Sequence, residues 1–249
     1  MILKNEKGLK DGDTIEIIIV NDSPKTAVAL SGTSLIRKNW HVYTNEKNFG
    51  IHRSRINGLS VAKGEYIIFL DQDDILTENA VSELIKAAKE EPDAAVIVAN
   101  ALLTQKDFAS EWYRTDYHKA LIGDYKTYRT VGVQIISPGQ CLIKKDKIPD
   151  FWRKNPLKRN GADDYFLWIL LLQAGERFKY IDEVLYTHSY TGENATEIAC
   201  HNSPYILQRL IELLIDGVET AVIFAVCART GLSVATILER AKRLERARG

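Results

Sequence analysis

Tyr66-Ile67-Ile68-Phe69-Leu70-Asp71-Gln72-Asp73-Asp74 runs five apolar residues straight into three carboxylates within four positions. The apolar part is short, β-branched or aromatic, and unbroken, which reads as a buried strand. The acids then mark its carboxyl end, where open α/β sheets gather their binding groups. Adjacent carboxylates repel one another, and burial penalises their charge. They stay ionised at least cost around a divalent cation, and an all-oxygen ligand set suits Mg²⁺ or Mn²⁺ rather than Zn²⁺. The plainer alternative is a solvated acidic turn that caps the following helix. A hydrophobic strand feeding directly into the acids weighs against it.

Upstream, residues 15–20 (Ile-Glu-Ile-Ile-Ile-Val) read as another buried strand, stopped by the turn chemistry of Asn21-Asp22-Ser23-Pro24. A helical stretch to Lys38 follows, then a strand over Trp40–Thr44 and a helix over residues 51–62, with Ile51, Ile56 and Leu59 near helical spacing. Downstream, Thr77 is the expected N-cap of a helix from Glu78 to Lys89, and Asp93–Ala101 contains a fourth strand. Alternating strands and helices predict an α/β fold, a mainly parallel sheet flanked by helices. Asp22 and Asp71–Asp74 then lie at strand ends facing one crevice.

The second half is less regular. Residues 104–136 show no clean period, and Ser137–Lys145 combines a Pro-Gly turn with a short strand. Asp164–Gln173 reads as a strong helix stopped at Gly175, with short strands over Phe178–Asp182 and Val184–Tyr190. From Pro204 the pattern is helical again. Leu232–Arg248 reads as an amphipathic stretch with a basic face of Arg240, Lys242, Arg243, Arg246 and Arg248. The expected organisation is a catalytic unit over 1–200 and a helical extension over 201–249. The basic face suits peripheral contact with an anionic membrane; a solvated helix packed on the domain is the alternative.

The 249 residues carry 33 Lys+Arg against 33 Asp+Glu, so no global field draws the chain to nucleic acid. Cys141, Cys200 and Cys227 are few, odd in number and lack a CxxC pair, which argues against a disulfide scaffold or zinc knuckle and favours buried free thiols in a reducing compartment. The longest apolar run, Ala221–Ala228, is too short to span a bilayer, and Met1–Lys7 contains no signal-peptide core. A cytoplasmic location is expected.

Three further positions could carry chemistry. Asp22 can accept the N–H of a nucleobase or a ribose hydroxyl, or can serve an Asx-turn. Asp163 and Asp164 open the hydrophobic helix, either as dipole partners or with one acting as a general base on a rigid element. His188 could bind a metal or a phosphate, or be structural.

Taken in order, these stretches resemble the family 2 glycosyltransferases of the GT-A fold. Glu16–Ser23 resembles their strand and acidic turn. Asn48-Phe49-Gly50, Arg55, Gly58 and Ala62–Asp74 resemble the segment carrying their DxD motif. Ser137–Ile143 resembles their acceptor-side strand, and Asp163–Trp168 their "ED" motif with Asp163 in place of Glu. The likeness spans residues 10–190. It implies that Asp22 contacts the nucleobase, that Asp71 contacts the ribose or a metal-bound water, and that Asp73 coordinates the metal. It also implies Arg55 near the donor and Asp164 as base. The implied reaction is metal-dependent and inverting, moving a sugar from a nucleotide sugar, with UDP expected, to a saccharide or lipid-linked acceptor. Met1–Asn5 resembles the tail of the family's first helix, so a chain without the family's first strand is expected. The family's Asn after the helix Arg is Ile56 here, with Asn57 one place on. Two other readings compete. One is a haloacid-dehalogenase-like phosphatase using Asp71 and Asp73, although Ile75 stands where that family has Thr or Val. The other is a decayed transferase that only binds.

Overall fold

The β-branched run over residues 15–20 forms strand β1 (Ile17–Asn21) in a computed structural model that describes residues 5, 9, 12–28, 39–105, 108–130, 132–157 and 163–189. β1 pairs in parallel with β2 (Trp40–Thr44), in register Ile17 to Trp40 through Asn21 to Thr44. Helix α1 (Ile51–Val61) packs on this pair. A Cβ at Gly58 would lie 3.1 Å from Val20 Cγ2, so the small residue sets how closely α1 approaches β1.

A six-stranded sheet forms the rest, in the order β3 (Tyr66–Ile67), β7 (Cys141–Lys144), β5 (Ala94–Gln105), β8 (Arg177–Ser189) and β4 (Ile75–Leu76), with β6 (Phe108–Glu111) returning along the end of β5. The α/β fold with flanking helices stands, but its large sheet is mixed rather than mainly parallel. β5 and β8 run parallel, whereas β7 and β6 lie antiparallel to β5, β3 to β7 and β4 to β8. The physical reason is connection length. β6 follows β5 without a crossover helix, and such a return forces antiparallel pairing. The two short strands expected over 178–190 are one strand, bent by register shifts near Ala99 and Asn100 of its partner β5. Asp182-Glu183, which looks like a break in the sequence, is absorbed there.

β5 is buried along Ala94–Ala101 because both its faces are covered. Against one face packs α2 (Ala80–Glu90) through Ala80, Leu84, Ala87 and Ala88, together with Leu76, Leu185 and Tyr186. Against the other packs α6 (Asp163–Gln173), which is apolar nearly all round and therefore buried from Tyr165 to Ile169 and at Leu171 and Leu172. Its end has the expected glycine stop. Gly175 adopts φ 79°, its N–H reaches the Leu172 carbonyl, and Glu176 N–H reaches that of Leu171, the two bonds of a Schellman cap. The irregular stretch holds β6 and the short helices α3 (Asp116–Ala120) and α4 (Tyr125–Thr130), too brief to show a period. Helix α5 (Asp150–Lys154) buries Trp152 beneath α6.

Thr77 is not the cap of α2. The helix begins at Ala80, and the Asn5 side chain takes the Val81 N–H through Oδ1 at 2.9 Å while donating to the Thr77 carbonyl at 2.7 Å. The helical stretch to Lys38, Cys200, Cys227 and the extension over 201–249 with its basic face lie outside the described residues. Cys141 is a buried free thiol, as expected.

Gly139 sits in a 3-10 turn (Pro138–Gln140) closed by Ser137 and Gln140 as a capping box. A Cβ there would meet Tyr186 Cε2 at 2.6 Å and Leu70 Cδ1 at 3.3 Å. Gly139→Ala is therefore expected to destabilise the fold by about 1–3 kcal/mol through overpacking. Urea unfolding would measure it, and a loss under 0.5 kcal/mol, roughly the surface-substitution range, would show that the Tyr186 ring yields freely.

Candidate active site

The acidic stretch after β3 divides into three roles. Asp71 is half-exposed and accepts Arg55 Nη2 at 2.7 and 3.0 Å. Asp73 is exposed. Asp74 turns inward and is buried, where Tyr186 Oη donates to its Oδ2 and His188 Nδ1 lies 3.1 Å from its Oδ1. The sequence reading of one acidic cluster is corrected for Asp74, whose carboxylate faces the sheet instead of a ligand.

Arg55 comes from α1 and is only 11% exposed. Its second nitrogen, Nη1, donates to Asp163 Oδ2 at 2.9 Å, so one guanidinium bridges the DxD stretch and the start of α6. Burial works against its charge, but Asp163 and Asp71 more than offset this and hold its proton more firmly than in a free arginine. The planar fork suits two carboxylates at once. Asp163 is fixed from its backbone as well, since Trp152 Nε1 donates to its carbonyl at 2.8 Å.

Asp164, next in sequence, is given no such ion pair among the described residues. Its Oδ1 accepts the Tyr165 N–H at 2.7 Å. Burial pushes its pKa up to about 6, the neighbouring Asp163 charge adds to the rise, and Arg55 opposes it. Two adjacent carboxylates thus divide: Asp163 is paired with Arg55, whereas burial and its neighbour hold Asp164's pKa above the ordinary aspartate range. The Cys141 thiol nearby is pushed up by burial and by Asp164, which makes it unreactive.

Asp22, at the end of β1, binds the start of α1. Its Oδ1 accepts from Phe49 N–H and Asn45 Nδ2, and its Oδ2 from Gly50 N–H, each at 2.8 Å. Gly50 has φ 84°, a conformation that favours glycine. Three of about four carboxylate acceptor positions are thereby filled. The Asx-turn belongs to Asn21, whose Oδ1 takes the Ser23 N–H at 2.9 Å. Asn45 was not singled out in the sequence, yet it ties Asp22, Ser54 and Asn57 together. Asn57, shifted from the family position, still supplies a donor to it at 2.8 Å.

His188 lies beside the acidic stretch. The hydrogen bond to Asp74 raises its pKa, burial opposes the rise, and the charges of Asp74, Asp73 and Asp71 add to it. Its Nδ1 also lies 3.2 Å from Tyr186 Oη. Both contacts use Nδ1, so among the described residues Nε2 is the nitrogen left for a ligand. Tyr186 carried no sequence signal of its own, although strand alternation places residues 186 and 188 on one face of β8.

Among the described residues, no three His, Cys, Asp or Glu side chains are grouped so as to hold a metal ion unaided. Asp73 presents an exposed carboxylate, and its charge and that of Asp71 act on His188; one or two such groups are what a divalent cation arriving with a diphosphate would use. Mg²⁺ is commonly held by one or two protein groups, with substrate phosphates and water completing its shell.

The glycosyl transferase family 2 model matches residues 2–152. The chain belongs to that family. Over 88 residues it is 36% identical to glycosyltransferase GlyG of Streptococcus pneumoniae serotype 4, covering 34% of this chain and 29% of that protein. Over 170 residues it is 26% identical to the poly-beta-1,6-N-acetyl-D-glucosamine synthase of Staphylococcus aureus strain COL, covering 66% of this chain and 40% of the synthase. A 40-residue stretch is 62% identical to tRNA modification GTPase MnmE of Phocaeicola vulgatus, covering 14% of this chain and 8% of that protein. The chain thus spans less than half the length of the curated relatives it matches. In structure it is similar to S. aureus TarS 1-349 in complex with UDP-GlcNAc, with TM-score 0.54 and 14% identity, over 90% of this chain and 63% of that one. That likeness gives the fold alone. The family assignment removes the grounds for a phosphatase reading of Asp71 and Asp73.

Proposed function

We propose that this family 2 glycosyl transferase moves a sugar from a nucleotide sugar to a hydroxyl acceptor by direct, inverting displacement. Asp164 carries the reading. It is a carboxylate at the start of a rigid buried helix, with an elevated pKa and no ion pair of its own among the described residues, close to the acidic stretch that would meet the donor. As base it takes the acceptor hydroxyl proton while that oxygen bonds the anomeric carbon. The bond from that carbon to the nucleoside diphosphate breaks, and its electrons leave with the phosphate oxygen. Attack from the opposite face turns an α-linked donor into a β-linked product.

Asp73 and His188 would hold Mn²⁺ or Mg²⁺. When bound, the cation supplies Lewis-acid neutralisation of the leaving diphosphate. Asp71, fixed by Arg55, faces the ribose or a metal-bound water. Among the described residues, three donors reach Asp22, which leaves it about one acceptor position for a nucleobase N–H. UDP is the proposed nucleotide, supported by the UDP-GlcNAc named for the TarS complex. A role in polysaccharide synthesis is supported by the name of the S. aureus synthase. A saccharide or lipid-linked acceptor, a cytoplasmic site of action, the division at residue 200 and membrane contact through residues 232–249 complete the proposal. For the last, deleting residues 232–249 should reduce co-sedimentation with anionic liposomes.

The deciding experiment is calorimetric titration of UDP with and without Mn²⁺. Binding is expected to require the metal and to weaken by at least about tenfold in Asp73→Ala, as for loss of a charged contact. Absence of binding under both conditions would overturn the reading. Binding without turnover across varied donors and acceptors would favour the inactive module.

A further inference from the structure

We propose that Asp74 is a positioning residue: its buried carboxylate, anchored by Tyr186, orients His188 so that Nε2 is presented to the divalent cation and its diphosphate. The inference rests on the assignment of His188 in the preceding section and gives a role to the third acid of the run, which that assignment leaves unused.

The geometry fixes the proton. Tyr186 Oη must donate to Asp74 Oδ2, because an ionised carboxylate only accepts. His188 Nδ1 then faces two acceptors, Asp74 Oδ1 at 3.1 Å and Tyr186 Oη at 3.2 Å. Nδ1 must carry the hydrogen, and in the neutral ring the lone pair falls on Nε2. Metal-binding histidines are oriented in this way, by a carboxylate on the other ring nitrogen. The surroundings hold the arrangement rigid. The Asp74 side chain is 1% exposed, the Tyr186 ring is sealed beneath Gly139, and His188 keeps 14% exposure. The strands contribute too: β4 pairs with β8 at Ile75–Thr187 and Leu76–Tyr186, which locks the acidic turn to the strand bearing the imidazole. Asp74 N–H to Asp71 O at 3.2 Å closes the same turn. A carboxylate serving only to pin β4 to β8 would not need the imidazole as its second partner.

The test is Mn²⁺ titration in the presence of UDP, read from the electron paramagnetic resonance signal of free Mn²⁺, for the parent, Asp74→Asn, His188→Ala and the double variant. Asparagine can offer an amide N–H to Nδ1 and so favours the tautomer with hydrogen on Nε2. Asp74→Asn is expected to weaken Mn²⁺ binding by about 10- to 100-fold. The double variant should bind no more weakly than His188→Ala alone. An unchanged Mn²⁺ affinity in Asp74→Asn would overturn the inference, as would an equal further loss on the His188→Ala background. If UDP binds with metal but His188→Ala keeps the parent's Mn²⁺ affinity, the inference falls and the transferase reading stands. If the parent binds no UDP with Mn²⁺, that reading fails first. Should Asp74→Asn not fold, Tyr186→Phe carries the test. It removes one anchoring hydrogen bond and is expected to weaken Mn²⁺ binding by about 2- to 10-fold; no change would overturn the proposal.

Discussion

Asp164→Asn is expected to lower kcat by about 10²–10⁴-fold, the usual contribution of a general base, while UDP binding stays within a factor of about two. Asn keeps the size and the acceptor for the Tyr165 N–H but cannot take a proton. The pH profile makes the prediction sharper. The folded-state pKa is raised to about 6 by burial and by Asp163, so the base is ionised above that value and protonated below it. Turnover should therefore fall as pH drops through about 6, two units above where an ordinary aspartate would impose its limit. Asp163→Asn removes a negative neighbour and should move that limb to lower pH. A limb unmoved by Asp163→Asn, or an Asp164→Asn variant with kcat near the parent's, would show that another group is the base.

Stability gives an independent check on the same residue. A carboxyl whose folded pKa lies above its unfolded one costs stability when ionised, above the folded value, and that cost fades as pH falls through it. Near pH 8, Asp164→Asn should thus melt at or above the parent's temperature, as expected where an active site is built at the expense of stability. Lost turnover with a retained or raised Tm separates chemistry from unfolding.

Local pattern was legible in the chain, whereas pairing across it was not. β2 fell at Trp40–Thr44 as read, and α1 ended one residue early, because composition and turn residues act within a few positions. The run Tyr66–Leu70 forms a ladder only at Tyr66–Ile67. Its apolar character reported burial, and Phe69 is buried, but the ladder stops at Ile67 paired with Ile143 although β7 runs on to Cys141. Thr77 had the right chemistry for a cap and lost to Asn5, a residue 72 positions away that reaches the same place. Asp163 and Asp164 look equivalent in sequence. What distinguishes them is Arg55, 108 residues from Asp163, with its one free fork already committed. Asp74 likewise reads as a third ligand until Tyr186 and His188, 112 and 114 residues on, claim it.

Arg55 should be the most damaging site for folding. Asp163 is 4% exposed, and Arg55→Met would leave its carboxylate buried without an ion-pair partner among the described residues. Removing one member of a buried pair typically costs about 3–5 kcal/mol, because the remaining charge keeps its full desolvation penalty. For a chain of this size that is a Tm loss of about 6–20 °C. Arg55→Lys should recover only part, since a point charge cannot span Asp71 and Asp163 as the planar fork does. The double variant Arg55→Met with Asp163→Asn should recover more stability than Arg55→Lys, because it removes the stranded charge instead of half-serving it. It should do so without restoring turnover, since Asp71 then loses the cation that fixes it and α6 is no longer tied to the acidic stretch. Measured unfolding of the three variants decides the matter. A loss below 1 kcal/mol in Arg55→Met, roughly the range of exposed pairs, would mean that water reaches Asp163 and that the bridge orders the site without holding the fold.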